Sequence, residues 1–206
     1  MTTKKVGTRG RPRSFDPAAA VETAQTLFQQ RGYDGVGVAD IGKALGITPP
    51  SFYNAFGSKA ALFAQVLDSY TAGYGRFVPE ALEGPGDSAD AVDRLLAEAA
   101  CRYATKDGIA GCLVIDGVRN SSDAEALAMI VRHKAASRDM LKARFAREHP
   151  EKADGLASIV ITALNGLSAS ARDGASEAEL MLSAKAFARA FREETRASGG
   201  PRVRVL

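Results

Sequence analysis

Apolar residues recur with a helical period along most of the chain. Two early segments show this clearly, with faces formed by Val21, Ala24, Leu27 and Phe28 and by Phe63, Val66, Leu67, Tyr70 and Tyr74. Further apolar stripes run through residues 92–103, 122–149, 154–174 and 177–195. No convincing run alternates with the period of a strand, so the pattern predicts an all-α fold.

The first four predicted helices have clear boundary residues. Asp16 and Pro17 begin the first helix as its cap and first turn, and Gly32 ends it. The second helix is expected at residues 38–45 and the third at 49–56, and Ser58 caps a longer fourth helix. We interpret residues 1–15 as a basic arm, 16–57 as a three-helix unit, 58–74 as a connecting helix, 75–197 as a second helical unit and 198–206 as a tail.

Two later stretches interrupt the helical pattern. The sequence EGPGDS (83–88) is the strongest breaker in the chain. The apolar run GIAGCLVIDGV (108–118) fits a buried helix or a strand, and its helical neighbours favour a helix.

The stretch GITPPSFYNAFGSK (46–59) predicts a tight turn between two short helices. Gly46 lies where the chain must turn, and Thr48 can cap the next helix. Pro49 and Pro50 fit the first turn, because the N–H groups there have no helical partner. Inward positions fall at Ile41, Leu45, Ile47, Phe52 and Phe56, which makes the unit a helix-turn-helix.

The polar residues of this unit are suited to DNA, with the third helix entering a major groove by its N-terminal end. Thr48, Ser51 and Asn54 suit base edges or phosphates, and Tyr53 and Lys59 suit phosphates. The alternative is an ordinary helix pair of an all-α protein, whose aromatic residues only form a core.

The distribution of charge along the chain is a second feature that suits DNA binding. The chain of 206 residues is 46% hydrophobic and 25% charged with a net charge of +3, yet residues 1–14 carry five basic residues and no acidic one. The rest therefore sums to −2 (3 − 5 = −2). Arg9, Arg11 and Arg13 lie in RGRPR (9–13), a segment suited to a narrow minor groove, although a plain basic tail is the alternative.

Several function classes find no support in the sequence. There is no phosphate loop, metal-ligand spacing or nucleophile–base pattern, so we expect neither an enzyme nor a cofactor. Cys101 and Cys112 form no disulfide framework, and we interpret the Cys112 thiol as buried and inert. Without a signal peptide or a membrane span, the expected location is the cytoplasm, with no membrane partner.

The stretch FQQRGYDGVGVADIGKALGITPPSFYNAFGSKAALF (28–63) resembles the first four helices of TetR family transcriptional regulators, and GRPRSFD (10–16) resembles the arm of many members. The resemblance implies a homodimer that binds a palindromic double-stranded DNA operator and carries a C-terminal ligand-binding and dimerisation domain. It places Thr48, Ser51, Tyr53 and Asn54 at the DNA, with Lys59 on its backbone.

The chain departs from the family pattern at three positions. Gly37 replaces a hydroxyl residue, which puts one phosphate contact in doubt, and no contact is assigned to Ala55. Gly42 replaces the usual Ala, at a cost of roughly 1 kcal/mol in helix propensity, yet permits close packing. GCLV (111–114) resembles a segment of one branch of the family.

The second half offers candidate residues for an inducer pocket and a dimer interface. The pocket candidates are Tyr103, Cys112, Met129, Met140 and Phe145. The interface candidates, on the last two helices, are Ile161, Leu164, Leu180, Phe187 and Phe191. Ordinary core packing explains both sets equally well.

Three functional hypotheses follow from these observations. The first is a repressor released from its operator by an unidentified small-molecule inducer. The second is a constitutive DNA-binding protein without an inducer, and the third is a redox-responsive regulator that acts through Cys112.

Overall fold

The computed structural model describes residues 16–106 and 108–196, and this part of the chain is built from helices. They are α1 (Pro17–Arg31), α2 (Val38–Leu45), α3 (Pro49–Phe56), α4 (Lys59–Ala72), α5 (Phe77–Glu83), α6 (Ser88–Tyr103), α7 (Leu113–Asp116), α8 (Ala124–Ala146), α9 (Ala153–Arg172) and α10 (Glu177–Arg196). The all-α prediction is confirmed. No helix in the described ranges is long and apolar enough to cross a membrane. Arg9, Arg11 and Arg13 lie outside the described residues.

The N-terminal helices begin and end at the residues that the sequence indicated. The Asp16 carboxylate accepts the N–H of Ala18 at 3.0 Å, and the Ser58 hydroxyl accepts that of Ala61 at 2.9 Å. Gly32 ends α1 with a φ of 70°, a conformation that glycine adopts without strain.

Aromatic rings form the core of the N-terminal unit. Phe28 meets Phe63 edge to face with centroids 5.0 Å apart, and Tyr33 lies 4.9 Å from the same ring. Phe52 and Phe56 of α3 are buried, as predicted. The large buried apolar surface fixes α3 against its neighbours and directs its remaining face outward.

In the rest of the molecule α10 packs along α6 and α9, and α8 packs on α9. Phe145 and Phe191 join α8 to α10 with ring centroids 5.1 Å apart. The buried Arg144 donates to the carbonyls of Leu82 and Gly86, which orders the 83–88 breaker.

The fold differs from the sequence prediction in two places. The connecting helix ends at Ala72, and a 3₁₀ turn (Tyr74–Arg76) and α5 follow where no separate element was predicted. In the 108–118 run only residues 113–116 are helical, because Gly108 and Gly111 adopt φ values of 76° and 74°. An isolated antiparallel bridge pairs Lys106 with Ile109 just before that helix.

Candidate nucleic-acid interface and cavity

The turn between α2 and α3 depends on two glycines. Gly46 has the left-handed conformation, with φ 66° and ψ 31°. The N–H of Ile47 donates to the carbonyl of Gly42 at 2.9 Å, and a Cβ added at Gly42 would lie only 2.9 Å from the Ile47 carbonyl oxygen. Gly42 therefore allows a closer approach of α2 to the turn than the usual Ala would.

The N-terminal tip of α3 lacks two backbone donors and presents two side-chain hydroxyls. Pro49 and Pro50 have no N–H, and Thr48 occupies the cap position without making the predicted side-chain cap bond. Its hydroxyl instead pairs with that of Ser51, with the two oxygens 3.1 Å apart. A DNA group at this tip would meet two side-chain hydroxyls, each able to donate or accept.

The outer face of α3 is polar and exposed. Thr48, Ser51, Tyr53 and Asn54 are all exposed, and the Tyr53 side chain leaves 54% of its surface open. Their neighbours Phe52 and Phe56 point into the core, so four of the five candidate contacts within the described residues share an accessible surface on one helix.

Lys59, the fifth candidate, is partly engaged within the protein. Its ammonium donates to the carbonyl of Tyr33 at 3.1 Å and lies 3.9 Å from the centroid of the Tyr33 ring. Burial and a hydrogen bond to Asp123 raise the pKa of Tyr33 well above its ordinary value.

A cavity of about 420 Å³ lies between the connecting helix and the C-terminal helices. Of the predicted pocket residues, Tyr103, Cys112 and Met140 line it. Met129 and Phe145 do not, and the sequence prediction is corrected at both. The Phe145 ring is fully buried and packs against Phe191 of α10.

Sequence reasoning missed a larger set of wall residues, contributed by α4, α5, α7 and α8. These include Tyr70, Phe77, Val114, Ile115, Lys134 and Leu141. Apart from Lys134, these residues are apolar or aromatic, and the element that each one faces is visible only in three dimensions.

The cavity wall is apolar with a few polar groups. The hydroxyl of Tyr70 donates to the Cys112 sulfur at 3.5 Å, and burial raises the pKa of both Tyr70 and Tyr103. Lys134 is the one charged residue among the described lining residues, and its ammonium donates to the Ile115 carbonyl at 3.1 Å. This wall suits a largely apolar small molecule.

The predicted interface residues separate into three groups. Ile161 and Leu164 line the cavity, whereas Leu180 and Phe191 are 1% exposed inside the protomer, so the prediction is corrected at Leu180 and Phe191. Phe187 is 37% exposed. Sequence reasoning missed two further exposed apolar residues on these helices, Ile159 of α9 and Leu182 of α10.

Within the described ranges no group of three or more His, Cys, Asp or Glu side chains could hold a metal ion.

Comparisons with known proteins find a matching family and individual relatives. Residues 20–66 match the model of a family described as bacterial regulatory proteins, tetR family. The HTH-type transcriptional repressor BdcR of Escherichia coli K12 is 38% identical over 184 residues, which cover 89% of this chain and 93% of that protein. The HTH-type transcriptional repressor ComR of the same strain is 34% identical over 184 residues, covering 84% and 87%.

Solved structures show the same fold. A cysteine mutant of the TetR family transcriptional regulator CifR, complexed with 26-bp double-stranded operator DNA, matches with a TM-score of 0.80 and 30% identity over 87% of this chain and 99% of that chain. The reduced form of NemR from E. coli matches with a TM-score of 0.65 and 21% identity, over 83% and 94% of the two chains, a likeness of fold alone.

Proposed function

The chain belongs to the TetR family of bacterial regulators, and from this premise we propose that it is a transcriptional repressor that binds a palindromic operator as a homodimer and is released by a small-molecule inducer. The observation that carries the proposal is the exposed polar face of α3, whose opposite face is buried through Phe52 and Phe56. Two relatives named as repressors and a relative bound to operator DNA support it.

In this proposal residues 16–57 form the DNA-binding unit and α3 enters the major groove by its N-terminal end. Thr48, Ser51 and Asn54 contact base edges, and Tyr53 contacts a phosphate from the same helix. Lys59 reaches the backbone from the start of α4. The arginines at positions 9, 11 and 13, outside the described residues, add contacts in the adjacent minor groove.

The outer surface of α9 and α10 is our candidate dimer interface. Ile159, Leu182 and Phe187 expose apolar area there, with Leu182 68% exposed. Cβ atoms added at Gly155 and Gly166 of α9 would meet no atom within 4 Å, so a partner helix can approach closely. A two-fold axis through this surface would pair the two α3 helices as an operator with inverted half-sites requires.

The cavity is our candidate inducer site. Its volume of about 420 Å³ lies within the range typical of small-molecule sites. Tyr70 and Thr71 of α4 line it, so a bound molecule touches the helix that carries the DNA-binding unit. Half-sites lie about 34–36 Å apart, and a small tilt of α4 would spoil simultaneous docking of both units. A constitutive DNA-binding protein is the alternative if operator binding responds to no small molecule.

Selection of bound sequences from a random double-stranded DNA pool tests this proposal. We expect enrichment of an inverted repeat whose half-site centres are separated by about one helical turn or a multiple of it. The same selection with Asn54→Ala should relax the preference at one position of each half-site. Retention without enrichment, lost at moderate salt, would contradict a sequence-reading repressor.

A thiol response through Cys112 is the second candidate function. The observation that favours it is the position of this thiol on the cavity wall, within 3.5 Å of the Tyr70 hydroxyl. Hydrogen peroxide should then weaken operator binding by the wild type and by Cys101→Ser, but not by Cys112→Ser. Equal behaviour of all three proteins would exclude this function.

A further inference from the structure

The C-terminal end of α1 is completed by groups from the second half of the chain. If α1 continued, the carbonyl of Gln29 would accept the N–H of Tyr33. Gly32 turns the backbone away, and each group pairs elsewhere. The Arg172 guanidinium donates to the Gln29 carbonyl at 3.1 Å, and the Tyr33 N–H donates to the Gly117 carbonyl at 2.7 Å.

Both of these distant partners depend on one buried carboxylate. Asp116 precedes Gly117 in the chain, and its carboxylate accepts from Nε of Arg172 at 3.0 Å. It also accepts from the Ser168 hydroxyl at 2.5 Å and from Arg119, and its side chain is 1% exposed. We call these four residues, Asp116, Arg119, Ser168 and Arg172, the Asp116 cluster.

The same cluster contacts the wall of the cavity. Cys112 and Ile115, on either side of the start of α7, line the cavity. The N–H of Cys112 donates to the Ser168 hydroxyl at 2.8 Å, and that hydroxyl donates onward to Asp116. A continuous series of buried and partly buried polar contacts therefore joins the cavity wall to the end of α1.

The side chains of the Asp116 cluster pack closely against the backbone just before α7. A Cβ added at Gly111 would lie 2.8 Å from the Ser168 hydroxyl oxygen and 3.0 Å from an Asp116 carboxylate oxygen. Moving Cys112 would separate its N–H from the Ser168 hydroxyl. A buried polar group that loses its hydrogen-bond partner lowers the stability of the fold. A displaced α7 would therefore be expected to carry Asp116, and with it both partners of α1.

A second set of bonds holds the turn after α1 to the segment after α7. The hydroxyl of Tyr33 donates to Asp123 at 3.1 Å, and the Ser121 hydroxyl donates to Asp34 at 3.0 Å. The segment from Gly117 to Asp123 thus contacts the turn that leads from α1 to α2.

We propose that Asp116 and Arg172 are positioning residues for operator binding, which fix the DNA-binding unit to the body and release it when a molecule in the cavity displaces α7. This inference rests on the proposed function, because it concerns the spacing of two DNA-binding units in a dimer. Docking on a full operator requires that spacing, whereas docking on one half-site does not.

The test compares Arg172→Gln with Arg119→Gln on the selected inverted repeat and on an isolated half-site. Both variants remove one arginine from Asp116, but only Arg172 reaches α1. Arg172→Gln should weaken full-operator binding about ten-fold and half-site binding less than about two-fold. Arg119→Gln should change both by less than about two-fold.

The proposal is overturned if Arg172→Gln binds the full operator as the wild type does, or loses full-site and half-site binding equally. If the wild type selects no sequence at all, the proposed function fails, and this inference fails with it. If the wild type selects an inverted repeat, the proposed function stands, and a negative result with Arg172→Gln then counts against this inference alone.

Hydrogen exchange of the free protein provides a measurement that requires no DNA. Peptides covering residues 28–36 should exchange faster in Arg172→Gln than in Arg119→Gln, because the end of α1 loses a partner only in the former. Equal protection in both variants would overturn the proposal. If Arg172→Gln does not fold, Ser168→Ala replaces it, with faster exchange in the same peptides expected.

The cavity end of the series is tested by a double-mutant cycle. Cys112→Met adds bulk at the residue that bonds Ser168, and should weaken full-operator binding on its own. In the Arg172→Gln background the same change should have little further effect, because the contact to α1 is already lost. Additive effects would overturn the coupling between the cavity wall and α1.

Discussion

Lys59 and Tyr33 are joined by two interactions across the DNA-binding unit. The ammonium of Lys59 lies 3.9 Å from the centroid of the Tyr33 ring and donates to the Tyr33 carbonyl at 3.1 Å. The first residue of α4 is thereby attached to the turn between α1 and α2. A residue that the sequence indicated for DNA contact thus also stabilises the fold.

Replacing Lys59 by Met should lower the free energy of unfolding by about 1 kcal/mol, since both interactions with Tyr33 are lost. Lys43→Met, at an exposed position of α2, is the matched control and should change it by less than about 0.5 kcal/mol. Urea denaturation measures both. Equal urea midpoints for Lys59→Met and Lys43→Met would mean that the contact with Tyr33 contributes no net stability.

Asn54→Ala should weaken binding to the selected operator by about 1–3 kcal/mol, because a side-chain amide that reads a base edge is lost. Thr26→Ala removes a hydroxyl that bonds within α1 and should leave the affinity unchanged. Titration of a fluorescent operator measures both variants. An affinity loss that is the same on every DNA sequence would assign Asn54 to the phosphate backbone instead.

Leu182→Glu should convert the dimer into monomers, because it places a charge at an exposed leucine of the proposed interface. Val131→Glu is the matched control, since Val131 is 62% exposed on α8 and lies outside the proposed interface. Sedimentation equilibrium measures the association state of each variant. A Leu182→Glu protein that remains dimeric would place the interface on another surface.

The protein should lose stability at alkaline pH. Burial raises the pKa of Tyr33, Tyr70 and Tyr103, and it raises that of Tyr74 to about 12. The native state keeps these protons while the unfolded chain releases them near pH 10, so the stabilisation is complete below about pH 10 and is lost progressively as the pH rises from there through the raised pKa values of the folded state.

Tyrosinate absorbance of a Tyr53→Phe variant checks this prediction, because only the four buried or half-buried tyrosines remain. Native protein should show little tyrosinate until it unfolds, and its denaturation midpoint should be lower at about pH 10.5 than at about pH 8. Reversible ionisation near pH 10 without unfolding would contradict the burial argument.

The N-terminal unit could be predicted closely from the sequence because its signals are local. Asp16, Ser58 and Gly46 act within a few residues of their own positions, as a helix cap, a second cap and a turn. The bounds of α2 and α3 agree with the prediction for the same reason. One local detail differed, since the Thr48 hydroxyl pairs with that of Ser51 and does not cap α3.

The cavity and the outer surface depend on distant neighbours, which periodicity does not identify. Phe145 and Leu164 both lie on apolar helix faces, yet one packs in the α8–α10 core and the other lines the cavity. Leu180 and Phe191 show the same limit, because an apolar stripe can face either a helix of its own chain or a second copy. A glycine φ above zero, as at Gly111, similarly reflects contact with a helix far along the chain.

The end of α1 also bears on how this chain could be recombined with others. The Gln29 carbonyl and the Tyr33 N–H are each satisfied by residues more than eighty positions away. A chimera that joined only the first 57 residues to the C-terminal part of another protein would leave the Gln29 carbonyl and the Tyr33 N–H without these partners. The N-terminal unit is therefore not a freely portable module, and an exchange of operator specificity is better made by replacing side chains on α3 than by transplanting the unit.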